Sequence, residues 1–154
     1  MVRVKKRISI VLVDDDSSPR EAVVDRLAAA RGLQVLIVPA ELKALSVTVR
    51  ETRADLLLIN LAGKGKRRLT FAGAMHGTVP KLPVIVMGLT PRRENVMSLV
   101  RAGVAGFIMA DAPLDVYLST ILLVAHGMRV LPPDLTHGLF VQLRGRMLAP
   151  NSIH

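Results

Sequence analysis

Ile8-Ser9-Ile10-Val11-Leu12-Val13-Asp14-Asp15-Asp16 is an apolar run, broken by one serine, that stops abruptly in three carboxylates. A run with no polar alternation is what a strand buried on both faces of a parallel sheet requires. Ser17-Ser18-Pro19 then supplies a helix N-cap and a proline for the first turn. Ala22, Val23, Leu27 and Ala30 come next at helical spacing, and Gly32 closes the element. Residues 33–38 read as a second short strand and 41–53 as a helix. Leu56-Leu57-Leu58-Ile59, within residues 55–61, reads as a central strand. A basic loop, Gly63-Lys64-Gly65-Lys66-Arg67-Arg68, leads to a weak helix over 69–77 that Gly73 disfavours. Residues 83–87 form a fourth strand, and 91–102 a helix that Pro91 opens and Gly103 closes. Residues 105–109 form a fifth strand and 114–126 a strongly apolar helix closed by Gly127. Strands alternating with helices in this way predict an α/β fold: a doubly wound five-stranded parallel sheet, (βα)5, in three α/β/α layers. In such sheets functional residues gather at the carboxyl ends of the strands. Here those ends carry Asp14, Asp15 and Asp16, then Asn60, Gly88 and Ala110.

The composition agrees with one domain. The chain has 154 residues, 51% of them apolar but only 3% aromatic, so its core must be aliphatic. The absence of cysteine excludes disulfides, thiolate metal sites and cysteine nucleophiles. No apolar run approaches the roughly 18–20 residues of a membrane span. The basic start leads into an apolar stretch too short for a signal peptide and ending in acid. A cytoplasmic, membrane-free protein is therefore expected. The net charge is +9, its basic residues spread along the chain with clusters at residues 3–7, 64–68 and 92–93. It fits either a solvated basic surface or an anionic partner such as nucleic acid. No aromatics interleave with these clusters, which argues against a single-strand stacking platform. The histidines at 76, 126, 137 and 154 lack zinc-ligand spacing, and no nucleophile elbow or Walker pattern is present. Met75, Met87, Met97, Met109 and Met128 lie in apolar patterns and read as core filler.

Several stretches resemble the receiver domain of bacterial response regulators, over roughly residues 7–130. Ile-Val-Leu-Val-Asp14-Asp15-Asp16 resembles its first strand with the acidic pair. Arg-Ala-Asp-Leu-Leu-Leu-Ile-Asn60-Leu resembles the third strand, which normally ends in the phosphoaccepting aspartate. Leu-Pro-Val-Ile-Val-Met-Gly88 resembles the fourth, which normally ends in Thr or Ser. Arg101-Ala-Gly-Val-Ala-Gly-Phe107-Ile-Met-Ala110 resembles the Arg-Ala-Gly-Ala-x-Gly-Tyr-x-x-Lys stretch. Gly127-Met-Arg-Val-Leu-Pro-Pro133 resembles the segment after the fifth helix in regulators of the LuxR helix-turn-helix type. The resemblance implies a CheY-like, flavodoxin-like fold, with residues 1–130 as receiver and 131–154 as an extension or linker able to form a short helix.

In such a domain a phosphoryl group moves onto an aspartate, and catalysis is positioning and electrostatics. Here the acceptor position holds Asn60, an uncharged and far weaker nucleophile. Gly88 has no hydroxyl, Ala110 no ammonium group, and Phe107 at the switch aromatic position no phenol. The resemblance therefore implies a degenerate, non-enzymatic receiver. Asp14 and Asp15 retain the type of residue that binds metal, so they form either a residual weak Mg²⁺ site or an acidic turn capping the first helix. No other cofactor is expected. A basic residue from the 64–68 loop is a candidate to balance the three carboxylates. The apolar helix 114–126 must be covered, either by residues 134–148 or by a partner. The family's dimer face of fourth helix, fifth strand and fifth helix predicts a homodimer. DNA contact is expected only through a C-terminal domain that these residues do not contain. The implied function is a phosphorylation-independent regulatory and dimerisation module of a transcriptional regulator. A stand-alone adaptor acting through protein contacts is the alternative, and direct nucleic-acid binding, testable by a salt-dependent gel shift, is a third reading.

Overall fold

The computed structural model describes residues 7–14, 22–39, 41–61, 81–89 and 96–132. Its elements are β1 (Ile8–Val13), α1 (Ala22–Ala29), β2 (Leu33–Val38), α2 (Leu42–Thr52), β3 (Leu56–Asn60), β4 (Val84–Leu89), α3 (Val96–Arg101), β5 (Gly106–Met109) and α4 (Leu114–Ala125). The expected N-cap at residues 17–19, the 63–68 loop, the 69–77 helix, the Pro91 start and the 134–147 helix lie outside the described residues.

All five strands join one parallel sheet in the order β2-β1-β3-β4-β5. The chain runs outward from β1 to β2 and then returns to β3 on the other side, so the winding reverses between β1 and β3. That is the doubly wound arrangement the alternation of elements predicts.

Alternation along each strand sorts side chains into two cores. Leu12, Leu56, Leu58, Ile85 and Met87 pack with Val24 and Leu27 of α1 and with Tyr117, Ile121 and Val124 of α4. Val11, Val13, Leu57, Ile59, Val86 and Phe107 pack with Leu45 and Val49 of α2 and with Leu99 of α3. The β1 run 10–13 and all of Leu56–Ile59 are at most 1% exposed. Each such side chain contributes roughly 1.5–3 kcal/mol of burial, which is why these strands carry no polar alternation.

Two local devices hold the register. The Asp55 carboxylate accepts a hydrogen bond from the Ser9 N–H at 2.8 Å, while the Asp55 N–H donates to the Ser9 carbonyl at 2.8 Å. This pair fastens the start of β3 to β1. At the other side, Gly106 sits under α4. A Cβ there would lie 3.0 Å from Ile85 Cγ1, 3.0 Å from Val124 Cγ2 and 3.3 Å from Thr120 Cγ2, so glycine lets helix and sheet close together.

Three details depart from the sequence expectations. In α1 the buried positions are Val24 and Leu27, whereas Ala22 is exposed, because the larger aliphatic wins the inward face. Met128 is 54% exposed rather than core, since it comes after the close of α4 at Gly127 (φ 87°). Strand β4 runs on through Gly88 to Leu89 instead of ending at Met87. The chain after α4 also returns to the sheet. Val130 forms a parallel bridge to Gly106, with Phe107 N–H to Val130 O at 3.2 Å and Val130 N–H to Ala105 O at 2.8 Å. Leu131 packs against the core that contains Phe107. No helix among the described residues is long and apolar enough to cross a membrane.

Candidate functional site

The carboxyl edge of the sheet brings the predicted positions into one row. The pairing Val13↔Ile59 places Asp14 beside Asn60, one strand spacing or about 4.8 Å apart at the backbone. They meet where the winding reverses, the place at which doubly wound sheets hold ligands. Both are buried: Asp14 is 8% exposed and Asn60 5%, the only polar groups besides Thr120 so classed among the described residues. The Asp14 N–H donates to Val38 O at 3.0 Å, and the Leu61 N–H to Met87 O at 2.9 Å, so β1 stays bonded to β2, and β3 to β4, up to the edge. Asn60 ends β3, alternating with Leu58 and sharing its face of the sheet.

The next strand brings Met87 opposite Asn60, with Gly88 after it. Gly88 has φ 75°, and the β4–β5 register slips here: Val86 pairs with Phe107, then Leu89 with Met109. Three steps on β4 therefore match two on β5, the signature of a bulge. Only glycine takes this φ cheaply, and a β-branched residue would be an outlier. In sequence Gly88 registers only as a missing hydroxyl; the backbone gives it a positive role. The glycine itself is the only sequence signal of that role.

Ala110 comes directly after β5, its N–H donating to Leu89 O at 2.8 Å, and is exposed, as is Asp111 beside it. Phe107 is 3% exposed, its ring packed in the aliphatic core. A phenol in such surroundings would need a hydrogen-bond partner, which a phenyl ring does not. Asp15 and Asp16 lie outside the described residues. Among the described residues no group of three or more acidic or histidine side chains is placed to hold a metal ion.

Chemically, the row offers one buried carboxylate, one buried amide, a glycine in a bulge and a methyl group. The amide can donate and accept hydrogen bonds but carries no charge and is a poor nucleophile.

No protein-family model matches the chain. Among curated proteins it is similar to the glycerol metabolism activator of Pseudomonas putida, 26% identical over 127 residues, which span 82% of this chain and 58% of that protein. It is likewise 26% identical over 132 residues to the response regulator GacA of Pseudomonas syringae pv. syringae, covering 86% of this chain and 62% of GacA. The chain spans 58–62% of the length of the curated relatives it matches. Among solved structures it superposes on a LuxR-family two-component response regulator from Aurantimonas with a TM-score of 0.68 at 18% identity, covering 90% of this chain and 99% of that one. It also superposes on Salmonella enterica RcsB bound to a promoter, with a TM-score of 0.67 at 15% identity, covering 94% of this chain and 73% of that one. The chain is thus a domain with the receiver fold, and the proteins it is homologous to are response regulators.

Proposed function

We propose that this domain is a phosphorylation-independent receiver, acting as the regulatory and dimerisation module of a DNA-binding transcriptional regulator. The observation that carries the reading is the buried Asn60 beside Asp14 at the winding reversal, where a phosphoaccepting receiver needs a carboxylate nucleophile. The positive φ of Gly88 supports it further, because the adjoining strand end does not accept a Thr or Ser without strain. Ala110 adds no charge to offset a phosphoryl group. The two-state bias of the domain then comes from a contact other than aspartyl phosphate.

Dimerisation is assigned to the face of α3, β5 and α4. Val116 and Leu123, on the outer face of α4, are two of the six large apolar side chains left exposed among the described residues. The DNA contact that one structural neighbour makes as RcsB is assigned to parts of the regulator outside these residues. Asp14 and Asp15 retain at most a weak Mg²⁺ affinity, since the amide of Asn60 removes one charged ligand.

A light-scattering mass tests the module as a whole. The chain is expected to be a dimer, with the same mass in buffer, with Mg²⁺, and with Mg²⁺ plus acetyl phosphate. A monomer that dimerises only on adding acetyl phosphate would overturn the reading.

A further inference from the structure

On the end of the sheet opposite Asn60, a groove of about 470 Å³ opens between the start of β1, the α1–β2 turn and the last turns of α4. Its size falls within the roughly 300–1,000 Å³ of small-molecule sites. Ile8, Leu33, Leu118, Ile121 and Leu122 give it an apolar lining. Arg31 and His126 also line it, both exposed, and no carboxylate is among its lining residues that the structure describes. The His126 Nδ1–H donates to the Leu122 carbonyl at 2.7 Å, which fixes the ring at the close of α4. Gly32, with φ 83° and open space where a Cβ would stand, forms a low wall between Arg31 and Leu33.

Apolar walls with a guanidinium at their rim select a particular chemistry. The walls reward a hydrocarbon body, and a guanidinium with no acid beside it among the described lining residues rewards a carboxylate. A neutral apolar ligand would leave Arg31 without a counterion, and an inorganic anion would leave the walls wet. We propose that this groove binds an amphipathic carboxylate, a small organic acid whose hydrocarbon part lies on Leu33, Leu118, Ile121 and Leu122 and whose carboxylate meets Arg31. The site is separate from the Asn60 edge, so it stands whether or not the domain is phosphorylated. Its occupant touches α4, and so reaches the element that also carries the exposed Val116 and Leu123.

Decanoate is a suitable probe, titrated into the full chain while amide NMR shifts are recorded. The expected result is saturable shifts at Gly32, Leu33, Ile121, Leu122 and His126, with decanol binding about tenfold or more weakly. Arg31→Glu should weaken decanoate by at least a similar factor. Lys43→Glu makes the same change of charge on exposed α2, against the other face of the sheet, and should leave binding intact. Absence of saturation up to about 1 mM would overturn the proposal. So would shifts centred elsewhere, decanol binding as well as decanoate, or Arg31→Glu and Lys43→Glu behaving alike.

Discussion

Gly88 is the residue at which a missing group and a backbone requirement coincide. It lacks the hydroxyl that a phosphorylated receiver uses, and it holds φ 75° inside the β4–β5 bulge. Gly88→Thr therefore does more than add a hydroxyl: it forces a β-branched residue into the left-handed region. The expected cost is about 1–3 kcal/mol, read as a lower urea midpoint with an unchanged slope. An unaltered midpoint would mean that the bulge relaxes without strain. Asn60 is the complementary case. Its identity is legible in sequence, because an amide ending an apolar strand stands out, and its burial beside Asp14 comes from the register. The strain at Gly88 is not legible, since φ depends on how β4 meets β5 and not on local composition.

At the scale of elements, the strand runs at 8–13 and 56–60 are plain from sequence because both faces are buried and no polar alternation is needed. The same feature hides which core each side chain enters, since a uniformly apolar run looks alike in either phase. α4 is legible as too apolar for a solvated helix. The structure divides it: Tyr117, Ile121 and Val124 are buried, Leu122 lines the groove, and Val116 and Leu123 share an outer face seven residues apart. That outer face carries the proposed dimer contact. Leu123→Glu should place a charge within it and lower the light-scattering mass to that of a monomer, while far-ultraviolet circular dichroism stays unchanged. A dimer that survives Leu123→Glu would move the contact to another face. The return of Val130 to the edge of β5 has no counterpart in the sequence pattern. Backbone pairing of one residue leaves no periodic trace, and Pro132-Pro133 reads as the start of a linker.

Across the whole molecule, the sheet order brings Asn60 beside residues 27 or more positions away in sequence, Met87 on one side and Asp14 on the other. The fold is that of a receiver, while the edge where receiver chemistry is expected offers the Asp14 carboxylate but, at the acceptor, hydroxyl and lysine positions, an amide, a glycine and a methyl group. The net charge of +9 stays compatible with a regulator that works near nucleic acid, but it says nothing about the switch itself. In the proposed function the fold works without aspartyl phosphorylation. The intact mass of the chain after incubation with Mg²⁺ and acetyl phosphate tests it most directly, measured for the native sequence and for Asn60→Asp. No phosphoryl adduct is expected on the native chain and no efficient phosphorylation of Asn60→Asp, because a new carboxylate does not replace the hydroxyl and the ammonium group. A stoichiometric adduct on the native chain, or ready Mg²⁺-dependent phosphorylation of Asn60→Asp, would contradict it.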